Sequence, residues 1–191
     1  LGMSVARLPS LSDFQDNILP ELSIKPIDVE DLLGRPQTSL DQEAVIKLIS
    51  GQRVLVTGAG GSIGSELVRQ LARIKPSHLT LLDNSEYNLF RIDMEIGNVF
   101  PDLERTTIIA DVREKSRIDE IFKRAAPHIV FHAAALKHVP LVEENVLEGI
   151  ATNVLGTKNV ADAAKKAKID TFVKISTDKA VNPTNVMGAT K

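Results

Sequence analysis

Two stretches of the chain hold residue types at spacings that could do chemistry. In the run from Val54 to Gly64, Gly58, Gly61 and Gly64 recur at every third position with an extra Gly60, and Ser62 and Ile63 complete the turn. Glycine reaches positive φ cheaply, so such a run can turn tightly and bring bare backbone against a pyrophosphate. A helix starting at Ser62 would aim free N–H groups and its positive dipole end at the same phosphates. The third glycine then lets helix and strand pack closely. Asp83 follows 19 positions after Gly64, where a carboxylate can read the ribose hydroxyls of an adenine dinucleotide. It would repel a 2′-phosphate, so NAD is expected in preference to NADP. Asp111 and Val112 stand after a later strand, where the adenine would be met; an ordinary turn explains them equally well. The second stretch is Thr177-Asp178-Lys179. Hydroxyl, carboxylate and amine side by side are the groups of general acid–base catalysis, although a surface turn after a strand accounts for them as well.

These residues need elements to position them, and the pattern from Gln52 onward supplies strand and helix in alternation. Short apolar runs read as strands at Arg53–Thr57, His78–Leu82, Thr106–Ala110, Ile129–Ala133 and Thr171–Ser176. Between them, helices are expected at Ser62–Ile74, Tyr87–Val99 and Arg117–Arg124, with a long helical region over Glu143–Ala167. In the first of these Ile63, Leu67, Leu71 and Ile74 form one apolar face. Short continuous apolar strands are those of a parallel sheet buried on both sides, and the alternation predicts an α/β, Rossmann-like, doubly wound fold. Lys137 and His138 follow the fourth strand, on the sheet edge where open α/β sheets bind ligands. Residues 1–50 differ. Pro9, Pro20, Pro26 and Pro36 forbid long helices, so this part reads as an extended lead, with short helical turns at Asp28–Leu33 and Asp41–Ile49. Residues 51–191 form the expected dinucleotide-binding domain.

Composition removes several function classes. Lys and Arg total 23 against 25 Asp and Glu, a net charge of −2, without the basic excess of a nucleic-acid binder. Aromatics are 4%, too few for base-stacking platforms. The chain has no cysteine, which excludes disulfides and thiolate metal sites. His78, His128, His132 and His138 show no zinc-ligand spacing, so no metal is expected. No apolar run reaches the roughly 18 residues a membrane span needs.

Four motifs then resemble the extended short-chain dehydrogenase/reductase superfamily, and within it the CapD-type polysaccharide-biosynthesis proteins, which are nucleotide-sugar dehydratases and epimerases. They are Thr57-Gly-Ala-Gly-Gly-Ser-Ile-Gly-Ser-Glu66, His132-Ala-Ala-Ala-Leu-Lys-His-Val-Pro140, Thr152-Asn-Val-Leu-Gly-Thr157 and Ser176-Thr-Asp-Lys-Ala-Val-Asn-Pro183, with Met187-Gly-Ala-Thr-Lys191 extending the last. The first is shared across the superfamily; the second and fourth are more specific. The resemblance implies sugar 4,6-dehydratase chemistry on a UDP-sugar, UDP-N-acetylglucosamine above others. Such enzymes oxidise C4, lose the C5 proton and the C6 hydroxyl, and return the hydride to C6. It implies that Thr177 bonds the C4 oxygen, that Asp178 is the acid and Lys179 the base, and that Lys191 holds the nicotinamide ribose. A basic Lys179 needs a lowered pKa, which burial or a neighbouring cation provides. Ala133 and Ala134 join the cofactor site, Lys137, His138 and Met187 the sugar site, and Asn153 supports the active-site loop. His132 is expected to be structural.

The chain departs from the superfamily in two places. Most members carry Tyr-x-x-x-Lys, one helical turn apart on one face; here Met187 precedes Lys191, and the single tyrosine is the distant Tyr87. A thioether takes no proton, so Lys179, Asp178 or a water must serve the C4 hydroxyl. Long membrane-bound dehydratases share this methionine. Asp28–Arg35 resembles the segment ahead of their catalytic domain, and Leu1-Gly2 ahead of Met3 points upstream as well. The expectation is a piece of a protein on the cytoplasmic side of a bacterial inner membrane, attached through upstream segments. By itself it would turn over little, and an open sheet edge would invite a homo-oligomer. A nucleotide-sugar epimerase and a non-catalytic NAD-binding module are the alternatives. Simple 4-epimerisation needs no C5 base, and a sensor needs no acid–base pair.

Overall fold

The computed structural model describes residues 41–191 and two short strands ahead of them, β1 (Ala6–Arg7) and β2 (Lys25–Pro26), which pair antiparallel. The turn expected at Asp28–Leu33 lies outside the described residues. From Gln42 onward the elements are α1 (Gln42–Ile49), β3 (Arg53–Thr57), α2 (Ser62–Ile74), β4 (His78–Asp83), α3 (Glu86–Val99), β5 (Arg105–Ile109), α4 (Lys115–Ala125), β6 (Ile129–His132), α5 (Val139–Glu144), α6 (Val146–Gly149), a π-helical turn (Ile150–Gly156), α7 (Thr157–Ala167), β7 (Thr171–Lys174), a 3₁₀ turn (Asp178–Ala180) and α8 (Val186–Thr190).

The sheet is parallel throughout, in the order β5-β4-β3-β6-β7. Strand β3 is central because both its faces must be covered. Val54 and Val56 point to one side and pack with Val68, Leu71, Leu89 and Ile92 of α2 and α3. Leu55, between them, points to the other side and packs with Ile118, Phe122, Val160 and Ala163 of α4 and α7. The period-2 alternation of a strand thus feeds two cores, one under each helical layer. Val45 and Ile49 of α1 join the first core, so this helix belongs to the same structural unit as the sheet, which runs Gln42–Lys191.

Two expectations change. Ile63 is 48% exposed and lies off the buried face of α2, which consists of Gly64, Val68, Leu71 and Ala72. Small residues take the inner positions because the helix sits close against β3, and the large apolar side chain is turned out. The long helical region is also not one helix. A break at Asn145 separates α5 from α6, and the path then widens into the π-helical turn before α7. Order reverses between β3 and β6, whose neighbouring connections leave to opposite sides. Ligands bind above the strand carboxyl ends at such a switch point, which is where the glycine run lies.

Candidate functional site

A cleft of about 200 Å³ opens over these strand ends, lined by Gly58 and Gly61 from the glycine loop, Asp83, Asn84, Ser85 and Asn88 after β4, Ala110, Asp111 and Val112 after β5, and Ala133, Ala134, Leu136 and Thr152. Each glycine has its own reason. Gly58 has φ +68, and a Cβ there would lie 2.6 Å from the Ala134 nitrogen. The turn and the close pass of the chain just after β6 both require it. A Cβ on Gly64 would run into the Gly58 carbonyl oxygen and stand 2.7 Å from the Gly58 carbonyl carbon, so this residue lets α2 start directly beneath the loop. Gly61 differs: a Cβ there would meet only the Gly58 oxygen, at 3.3 Å. Its open side faces the cleft, which is the space a phosphate needs above a helix start.

Asp83 is 7% exposed. Its Oδ2 accepts from the Gly60 N–H at 2.8 Å and its Oδ1 from the Ser85 N–H at 2.9 Å. The carboxylate therefore ties the glycine loop to the end of β4. Each oxygen keeps a further lone pair for a ribose hydroxyl, since a carboxylate has about four acceptor positions. Ser85 caps α3 by accepting from the Asn88 N–H. Asp111 accepts from the Arg113 backbone and side chain at 2.9 and 2.8 Å. Burial works against the Asp111 charge, and the Arg113 hydrogen bonds outweigh it, holding the carboxyl below its usual range.

His132, at the end of β6, is 2% exposed. Its Nδ1 lies 2.7 Å from Thr57 Oγ1, its Nε2 lies 2.9 Å from Thr157 Oγ1, and its ring stacks on Phe172. Burial, with repulsion from Lys174 and Lys191, pushes its pKa down to about 4. The neutral ring joins β3, β6 and α7 directly below the glycine loop and touches no open part of the cleft.

The Thr177-Asp178-Lys179 turn forms beyond β7. Thr177 Oγ1 donates to Asp178 Oδ1 at 2.9 Å, the Lys179 N–H donates to the same oxygen at 3.1 Å, and the Lys179 ammonium stands 3.8 Å from it. All three groups thus meet at one carboxylate oxygen. The Lys179 side chain is 53% exposed. The turn is seated on α8, because Gly188 leaves room for the Lys179 carbonyl. Lys191 follows α8 half-buried. Burial lowers its pKa below the ordinary lysine value, and Lys174 and Lys137 add repulsion. The Lys137 ammonium also donates to Ser62 Oγ at 3.3 Å, at the start of α2. His138 is exposed at the N-terminus of α5. Met187 is 2% exposed and does not line the cleft.

The cleft therefore gathers Gly58, Gly61, Asp83, Asp111, Val112, Ala133 and Ala134. Gly60, Ser62 and Ile63 belong to the same loop outside it, and Gly64 lies beneath. Thr177, Asp178, Lys179, Lys191, Lys137 and His138 stand apart from the cleft lining. Asn84, Ser85, Asn88, Leu136 and Thr152 also line it and were not anticipated. The polar pair after Asp83 is visible in the sequence; Leu136 and Thr152 lie within two of the quoted motifs, but tertiary packing is what brings them to the cleft. Among the described residues, no cluster could hold a metal ion, and no helix is long and apolar enough to cross a membrane.

The model of the family described as polysaccharide biosynthesis protein matches residues 54–191, from β3 through Lys191. The chain belongs to this family. Similar relatives include the capsular polysaccharide biosynthesis protein CapD of Staphylococcus aureus, 45% identical over the whole chain and 32% of that protein. A UDP-N-acetylglucosamine 4,6-dehydratase (inverting) of Campylobacter jejuni is 36% identical over 75% of the chain and 42% of that protein. Among solved structures, Pen from Bacillus thuringiensis superposes with a TM-score of 0.69 at 34% identity, over 75% of the chain and 43% of that structure. The chain thus spans about a third of the CapD relative. The family match covers the Rossmann unit with its glycine loop, the Thr177-Asp178-Lys179 turn and the Met-x-x-x-Lys segment.

Proposed function

We propose that the intact protein is an NAD-dependent nucleotide-sugar 4,6-dehydratase of surface-polysaccharide synthesis, acting on UDP-N-acetylglucosamine or a close analogue. The observation that carries the reading is the pairing of a glycine cradle, open at Gly61 above a helix start, with a hydroxyl–carboxylate–amine turn on the same edge of the sheet. The similarity to a UDP-N-acetylglucosamine 4,6-dehydratase supports the substrate class.

In this reading the N–H groups at the start of α2 bind pyrophosphate, Asp83 accepts from the adenosine ribose, and Lys137 and His138 line the sugar site. Lys191 donates to the nicotinamide ribose. Bound NAD would supply the hydride acceptor for C4 and the hydride donor for C6. Thr177 holds the C4 oxygen. Lys179 takes the C5 proton and gives it back to C5 as hydride reaches C6; the C4 hydroxyl proton passes to Asp178 or a water, and the Asp178 carboxyl gives a proton to the departing C6 hydroxyl, which leaves as water. Lys179 must be neutral to take that proton. Met187 cannot share in proton transfer.

The test is Lys179→Ala in the intact protein, assayed for dehydration and for exchange of the C5 proton with solvent. We expect both to fall by at least about 10²-fold, the usual scale of a positioned base. Dehydration at the wild-type rate would refute the assignment. C4 epimerisation that survives Lys179→Ala, with no 6-deoxy product from either protein, would favour the epimerase.

A further inference from the structure

Asn153 and Thr190 form a buried joint to which the reading above gives no role beyond loop support. Asn153 sits in the π-helical turn and is 2% exposed. Its Oδ1 accepts from the Leu136 N–H at 2.8 Å, and its Nδ2 donates to the Leu136 carbonyl at 3.0 Å and to Thr190 Oγ1 at 2.9 Å. The Thr190 hydroxyl donates in turn to the Met187 carbonyl at 2.9 Å. Every donor in this chain faces an acceptor, which fixes the amide orientation, since only its nitrogen can serve a carbonyl. The wider path of a π turn accounts for an inward-facing side chain here, and such turns recur at functional sites.

The joint connects what the backbone keeps apart. Leu136 is part of the cleft wall. Thr190 is the residue before Lys191, on the helix that seats the Lys179 carbonyl at Gly188. We propose that Thr190 is a positioning residue: through Asn153 it holds Lys191 and the acid–base turn in register with the wall of the cofactor cleft. This rests on the dehydratase reading for its catalytic meaning, but the mechanical link stands on the hydrogen bonds alone. Removing the hydroxyl leaves one Asn153 N–H buried with no acceptor, while both Leu136 bonds remain possible.

The experiment compares Thr190→Val, which keeps the shape, and Thr190→Ser, which keeps the hydroxyl, in the intact protein. Amide hydrogen exchange at Leu136 and across residues 186–190 reads the joint, and calorimetric titration with NAD reads its consequence. In Thr190→Val, exchange accelerates at both places and NAD affinity falls about tenfold, equivalent to about 1.4 kcal/mol, within the cost of stranding a buried donor. Thr190→Ser restores both to within about twofold of wild type on that scale. Wild-type exchange and affinity in Thr190→Val would overturn the proposal, and so would a Thr190→Ser protein as impaired as the valine variant. Should Thr190→Val fail to fold, Thr190→Ala is read by the same criteria. A wild-type protein that binds no NAD would refute the dehydratase reading instead, and the exchange data would still decide the joint.

Discussion

Gly61 and Gly64 lie three positions apart in one motif, yet the structure gives them different duties, and a methyl group added at each separates the two. At Gly64 the new Cβ would overlap the Gly58 carbonyl oxygen, lie 2.7 Å from the Gly58 carbonyl carbon and lie 3.1 Å from Ala59 Cα. All three are backbone atoms of the loop, so no side-chain rotation relieves the contact. The helix cannot retreat either, because Val68, Leu71 and Ala72 anchor it in the core. Because the overlap is with loop backbone, the overpacking lies in the upper part of its range, about 2–3 kcal/mol, offset in part by alanine's helix preference of about 1 kcal/mol. Gly64→Ala should therefore lose about 1–2 kcal/mol of stability, lowering Tm by roughly 2–8 °C for a domain of this size, and weaken NAD because the loop has moved. At Gly61 the only neighbour of the added methyl is the Gly58 oxygen at 3.3 Å, so Gly61→Ala should melt within about 1 kcal/mol of wild type, the scale of surface changes. The methyl would occupy the phosphate position, and NAD affinity should fall by tenfold or more. Differential scanning calorimetry and NAD titration of both variants provide the assay. A Gly61→Ala protein that binds NAD as wild type does, or a Gly64→Ala protein as stable as wild type, would refute the division of duties.

Other outcomes follow from the same geometry. His132 has a folded pKa of about 4 below an unfolded value near 6.5, so the unfolded chain binds more protons between these values. Its contribution is constant above about pH 6.5 and is lost as pH falls toward 4, by roughly 3 kcal/mol in all. Urea unfolding of wild type and His132→Gln between pH 4 and 7 should show a shallower acid slope in the variant; equal slopes would contradict it. Ala126, which ends α4, holds φ +40, a region that disfavours a Cβ by about 1–2 kcal/mol. Ala126→Gly should raise Tm by a few degrees, and a lower Tm would count against strain there. Gly188→Ala would press on the Lys179 carbonyl and should reduce kcat more than NAD affinity; an equal loss of both would show that α8 and the acid–base turn move as one piece with the cleft.

The elements were legible because each carried its own periodic signal. The five strands and the helices α2, α3 and α4 appear within about two residues of where the apolar pattern put them. The duty of Gly64 was legible too, since close packing of helix on strand is a consequence of spacing. What was hidden depends on contacts remote in sequence. Nothing local shows that Asp83 grips Gly60 and Ser85 before any ribose arrives. Helical periodicity assigned Ile63 to the buried face, but the small residues Gly64 and Ala72 decided which face could approach the sheet. The stretch ahead of α7 reads as one helix because both α and π turns suit its residues, and periodicity does not separate the two. Lys179 was placed in the acid–base turn by its motif, and its exposure could not be read from neighbours that arrive from other parts of the fold.

The most direct test of the account is calorimetric titration of the intact protein with NAD and with NADP, repeated on Asp83→Ala. NAD should bind, NADP should bind more weakly, and Asp83→Ala should lose NAD affinity together with the preference. Failure of the intact protein to bind either dinucleotide, or tighter binding of NADP, would contradict it.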